Sequence, residues 1–133
     1  MMASRSDEDQ AAPATVLVVE DELLIRMDIA DYLRERGYHV VEAGSGDEAV
    51  VALKADIGIA VVFTDVSMPG SLDGLGLARW VHRERPGLGV ILTSGVARIA
   101  PEVQDLLTNG PLMAKPYDHG EVEARIRTAL AHR

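Results

Sequence analysis

The sequence predicts an α/β domain with a mainly parallel sheet, built from five successive strand–helix units. Two observations carry that expectation. From Thr15 onward, short apolar runs alternate strictly with segments of helical period, an order that gives parallel strands joined by right-handed crossovers. Three of the runs are almost free of polar alternation, as strands covered on both faces must be.

The first run, TVLVV at 15–19, precedes a helical segment over 22–36. That segment sets Leu23, Met27, Ala30 and Leu33 on one face and ends at Gly37, which suits a left-handed cap. The second run, HVVEA at 39–43, is more polar; the helix after it, 46–55, opens with Ser45 and Glu48 at capping-box spacing. IAVVFT at 59–64 forms the third strand, and the helix over 74–85 gathers Leu77, Trp80 and Val81 before Pro86 stops it. GVILT at 89–93 is the fourth strand, followed by a helix over 99–108 that ends at Asn109–Gly110. The fifth run, LMA at 112–114, is the shortest. The helix over 119–131 spaces Val122, Ile126 and Leu130 four apart, behind a capping pair of Asp118 and Glu121. Being polar or short, the second and fifth runs belong nearer the sheet edges. Residues 1–14 lack periodicity and read as a disordered tail, leaving one domain over 15–133. No output domain is expected after the fifth helix.

Composition narrows the function classes. A chain of 133 residues, 47% apolar, is one packed domain. Thirteen basic against 21 acidic residues leave a net charge of −8, the wrong sign for a general nucleic-acid binder. Without cysteine there is no disulfide framework, iron–sulfur cluster or thiolate zinc site. The apolar runs are far too short to span a membrane, and MMASRSDEDQAAPA lacks the layout of a signal peptide. A cytoplasmic protein with no membrane partner is the expectation.

In such folds ligands bind beyond the carboxyl ends of the strands. After the first strand come Glu20, Asp21 and Glu22; the third ends Thr64–Asp65, the fourth Thr93–Ser94, and the fifth Lys115–Pro116. Taken singly, each has a structural explanation: a helix-opposing acid, a turn aspartate, a strand-end hydroxyl, a solvated lysine. Taken together they bring charge or hydroxyl to one rim from four of five strands. Three carboxylates drawn close would raise one another's pKa unless cations intervened. A hard divalent ion with oxygen ligands, Mg²⁺ above all, is the natural partner of Glu20, Asp21 and Asp65. Mg²⁺, a lysine and a hydroxyl suit a phosphoryl group, and an aspartate can itself become an aspartyl phosphate.

These residues resemble the receiver domain of two-component response regulators. VLVVEDE at 16–22, VVFTDVSMPGSLDG at 61–74, VILTSG at 90–95 and MAKPYD at 113–118 are similar to its four motifs, in order, across residues 15–131. The resemblance implies a doubly wound (βα)5 sheet of flavodoxin-like order 2-1-3-4-5. It implies Asp65 as phosphoacceptor, Asp21 as a direct Mg²⁺ ligand, and Glu20 as a helper directly or through water. The backbone carbonyl of Ser67 would be a further ligand. Thr93 would bond a phosphoryl oxygen, Lys115 would pair with its charge, and the Lys115–Pro116 peptide would be cis. The partners implied are a histidine kinase or phosphotransfer protein and an unidentified downstream protein. Catalysis would be limited to the chain's own phosphotransfer and slow autodephosphorylation.

Three departures from the family pattern stand out. Leu112 occupies the usual aromatic position three before the lysine, MPGSLDG is one residue longer than the common loop, and Glu20 replaces a frequent aspartate. With no ring at 112, Thr93 is expected to act mainly on residues 94–100.

Competing functions fit less well. An aspartyl-nucleophile phosphatase of the haloacid dehalogenase class would carry DxDxT, whereas Val66, Ser67 and Met68 follow Asp65. An FMN carrier would need a hydroxyl- and glycine-rich first loop where Glu20-Asp21-Glu22 stands. A phosphate-independent scaffold is opposed by the intact set of Asp21, Asp65, Thr93 and Lys115. His39, His82, His119 and His132 lack metal-ligand spacing or an evident partner and read as exposed, Trp80 as packing, and Met27 and Met113 as core or rim filler.

Overall fold

The computed structural model describes residues 13–55, 58–95, 107 and 110–132. Its strands are β1 (Thr15–Val19), β2 (His39–Ala43), β3 (Ile59–Asp65), β4 (Gly89–Ser94) and β5 (Met113–Ala114). Its described helices are α1 (Leu23–Glu35), α2 (Gly46–Lys54), α3 (Gly74–Glu84) and α4 (His119–Ala131). All strand pairs are parallel, in the order β2-β1-β3-β4-β5. The polar strand and the two-residue strand take the two edges, as their patterns require. Most of the expected tail and the helix expected over 99–108 lie outside the described residues.

Side chains alternate across the pleat, so each central strand feeds two cores. Leu17, Val19, Val62 and Leu92 pack with Ala49, Leu53, Leu77 and Val81 on one face. Val16, Val18, Val61 and Ile91 pack with Ile29, Leu33, Val122 and Ile126 on the other. Each buried valine, leucine or isoleucine among them contributes about 1.5–3 kcal/mol before chain entropy is charged against it.

The caps expected at Ser45 and Asp118 form, and a third forms at Asp73. The Glu48 N–H donates to Ser45 Oγ (3.1 Å), Gly76 N–H to Asp73 Oδ1 (2.8 Å) and Glu121 N–H to Asp118 Oδ2 (3.1 Å). Glu48 completes its box one residue early, since Oε1 accepts from the Gly44 N–H (2.7 Å). Gly37 follows α1 at φ 97°, in the left-handed region that glycine enters without strain.

Two expectations fail. On α1 the buried face is Ile29, Ala30 and Leu33, while Leu23 and Met27 are 53% and 42% exposed. The helix begins at the strand-end rim, so the Leu23–Met27 side of its first turns overhangs the sheet and is left exposed. Of the two methionines read as core or rim filler, Met27 lies outside the core and Met113 within it, at 3% exposed. His119 does have a partner: its Nε2 lies 3.3 Å from Asp28 Oδ2, and its ring meets Tyr32 at 5.1 Å between centroids.

Candidate functional site

The parallel order sets β1 and β3 side by side, so the turn after Val19 faces the end of β3 at Asp65. Register pairs Val19 with Thr64 and Asp65 with Thr93. Glu20, Asp21 and Asp65 accordingly offer carboxylate oxygens all within 4.8 Å of one another. Asp21 is exposed, whereas Glu20 and Asp65 are only 3% and 8% exposed.

Lys115 closes this cluster from β5's end. Its ammonium donates to Glu20 Oε1 (2.8 Å) and to Asp65 Oδ2 (2.9 Å). The backbone supports it, because the Lys115 N–H donates to the Ser94 carbonyl (2.9 Å), and the Lys115–Pro116 peptide is cis. Asp65 Oδ1 accepts from the Ser67 N–H (3.3 Å), which sets Ser67 beside the aspartate. Thr93, 1% exposed, stands next to Asp65 on β4, and its carbonyl accepts from the Val66 N–H (2.8 Å). All six residues expected at the rim are thus in one place.

Burial pushes the Glu20 carboxyl up, against the Lys115 ammonium and the Glu22 N–H, which favour its charged form. Burial alone would lower the Lys115 ammonium, but its hydrogen bonds to Glu20 and Asp65 prevail and hold it well above the usual lysine range. The cluster is short of positive charge, with one ammonium against three acidic side chains. Its hard oxygen donors, partly open to solvent at Asp21, fit an ion such as Mg²⁺, which keeps some of its waters.

Three residues of the site escaped the strand-end argument. Gly74 presses against the Asp65 carbonyl so closely that any side chain would collide with it. Tyr117 lies edge-on to Phe63, 5.4 Å between centroids, and burial pushes its hydroxyl up to about 12. Arg26 Nη1 donates to the Glu20 carbonyl (3.0 Å). A cation this near a helix N-terminus opposes the dipole, and that was the available signal. Among the described residues no helix is long and apolar enough to cross a membrane.

Comparison with known proteins agrees with this geometry. Residues 16–127 match the family model of the response regulator receiver domain. The chain is 44% identical over 135 residues to the transcriptional regulatory protein PdtaR of Mycobacterium tuberculosis, covering 98% of this chain and 63% of that protein. It is 41% identical over 93 residues to the sensor kinase CckA of Brucella abortus, covering 69% of this chain and 10% of that one. The chain therefore spans less than two thirds of these relatives' length. A response regulator receiver protein from Pseudomonas putida superposes with TM-score 0.79 at 31% identity, covering 87% of this chain and 97% of that structure.

Proposed function

The chain belongs to the response regulator receiver domain family, and from that premise we propose that it is a phosphorylation-controlled module of a two-component phosphorelay. Asp65 accepts the phosphoryl group from a phosphohistidine on a histidine kinase or phosphotransfer protein. A carboxylate oxygen attacks phosphorus, and the P–N bond to the donor imidazole breaks. The imidazole nitrogen keeps the bonding pair and takes up a proton. Later attack by water returns the carboxylate and inorganic phosphate. The likeness to a segment of a protein named a sensor kinase supports a place in such a relay.

The observation that carries this reading is the Lys115 ammonium bonded at once to Glu20 and Asp65. It is fixed before any phosphoryl group arrives, so stabilising the added charge needs little reorganisation. Glu20, Asp21, Asp65 and the Ser67 carbonyl would hold Mg²⁺, which when bound supplies further positive charge to the phosphoryl oxygens. Thr93 would donate its hydroxyl to one of those oxygens. The altered contacts of Thr93 and Lys115 then shift the chain towards a state that a downstream protein distinguishes.

Incubation with Mg²⁺ and a small acyl-phosphate donor, followed by mapping of the acyl phosphate, tests the assignment. One phosphoryl group on Asp65 is expected, none on D65N, and none in excess chelator. Full labelling of D65N would falsify it.

A further inference from the structure

Arg26 occupies a position that the phosphotransfer chemistry does not call for. It sits on α1 with its side chain 18% exposed, and its guanidinium reaches two other elements. Nη1 donates to the Glu20 backbone carbonyl at 3.0 Å, and Nε donates to Glu42 Oε1 on β2 at 3.1 Å. Glu42 is itself anchored, because its Oε2 lies 3.0 Å from Arg34 Nη1 further along α1. Room for the guanidinium comes from Gly44, where an added Cβ would stand only 3.1 Å from Nη1.

The consequence falls on the acidic turn. The Glu20 N–H is bonded to the Ala43 carbonyl (3.1 Å) and the Glu20 carbonyl to Arg26, so the backbone of Glu20 is held on both sides. The peptide that Arg26 grips is the one leading into Asp21, an exposed residue. Resting on the metal-assisted reading above, we propose that Arg26 is a positioning residue. It fixes the Glu20–Asp21 peptide so that both carboxylates face Asp65 ready for Mg²⁺. The planar fork of arginine suits this, since it serves two acceptors in fixed directions and a lysine ammonium does not.

The sign of the effect separates positioning from simple electrostatics. Removing a cation near a metal site should tighten Mg²⁺ if charge alone mattered. Loss of positioning should weaken it, by roughly tenfold, the lower end for groups that orient metal ligands. Mg²⁺ titrations of R26M, R26K and wild type would be followed by amide shifts at 20–22 and 65–67, with thermal unfolding measured alongside. The expected results are a roughly tenfold weaker Kd in R26M and a smaller weakening in R26K, which keeps the charge but loses the fork. Labelling of R26M by an acyl-phosphate donor should need more Mg²⁺ for half-maximal rate yet approach the wild-type rate at saturation.

An R26M Kd equal to or tighter than wild type overturns the role of Arg26. Should R26M fail to fold, R26K decides, and a wild-type Kd there overturns it equally. A wild-type protein that binds no Mg²⁺ overturns the metal reading itself, which keeps the two failures apart.

Discussion

Lys115 Nζ lies 2.9 Å from Asp65 Oδ2, although 50 residues separate the two in the chain. The same ammonium holds Glu20 Oε1 at 2.8 Å, so it already partly neutralises the carboxylates that a metal ion would bind. On the proposed function, lysine and metal compete for Asp65 before phosphorylation and cooperate on the phosphoryl group after it. K115M should therefore bind Mg²⁺ more tightly than wild type while accepting phosphate roughly a hundredfold more slowly, as when one preorganised donor is removed. Calorimetric titration and the rate of acyl-phosphate formation check the two halves. A parallel fall in both would mean that Lys115 only holds the site's shape.

Asp21 differs from its neighbours in being exposed. Among the described residues its removal leaves no buried partner unsatisfied, so D21N should unfold within about 0.5 kcal/mol of wild type. Its Mg²⁺ titration should nevertheless vanish, and with it metal-dependent labelling. Thermal unfolding read beside Mg²⁺ binding separates these effects. A D21N protein that labels normally would remove Asp21 from the metal site.

Gly74 is buried and its N–H donates to the Val66 carbonyl (2.9 Å), just past Asp65. A Cβ there would overlap the backbone of Asp65 and Val66, which has no flexible end to swing aside. G74A should cost about 1–3 kcal/mol, the range for forced overpacking. It should also slow labelling of Asp65, because the displaced strand end carries the carboxylate. Denaturant unfolding and labelling of the folded fraction measure each consequence. Wild-type behaviour in both would mean that the backbone relaxes freely.

How much of this was legible in the sequence depends on the range of the interaction. Asp65, Thr93 and Lys115 were legible because strand ends converge in a parallel sheet, whatever the details of packing. The caps at Ser45 and Asp118 were legible because they close over three residues. The Arg26–Glu42 and His119–Asp28 pairs each join two elements, and nothing local announces which long side chain reaches which acceptor. The buried face of α1 was misjudged for a related reason. Leu23 and Met27 fit the helical period, but whether a sheet lies beneath them depends on where the strands end.

Tyr38 ties the entry of β2 to α4, its hydroxyl donating to Glu123 Oε2 at 2.9 Å. Burial, followed by that bond, pushes the hydroxyl from 10.0 up to about 12. A group whose pKa is raised by folding contributes stability that is whole below its unfolded value and disappears as pH climbs through the folded one. Wild type should exceed Y38F by about 1 kcal/mol, a typical hydrogen bond, up to pH 10.0, and the gap should close towards pH 12. Unfolding of both proteins across that range, with tyrosinate absorbance followed in parallel, provides the check. A gap that widens with pH would reverse the sign and exclude the Tyr38–Glu123 bond as its source.

Leu112 stands where an aromatic ring is usual in the family, and it packs half-buried against the cluster that includes Leu77, Val90 and Leu92. A leucine has no hydroxyl to exchange between partners, so on the proposed function it should serve as wall rather than as lever. The phosphoryl signal of the proposed function is then expected to leave the site through backbone. Thr93 leads into Ser94, whose carbonyl is bonded to the Lys115 N–H (2.9 Å), so the ends of β4 and β5 are coupled behind the Thr93 hydroxyl and the Lys115 ammonium. Gly95 follows, exposed, and an added Cβ there would meet nothing within 4 Å; glycine also permits backbone movement at little steric cost. A beryllium fluoride mimic of the phosphoryl group should therefore shift the amides of 93–95 and 115 far more than the Leu112 methyls. L112A should lose roughly 1–2 kcal/mol, less than a fully buried leucine, yet keep both its labelling rate and the response at 93–95. If instead the Leu112 methyls move most, or L112A abolishes that response, the side chain is the switch and the backbone only follows it.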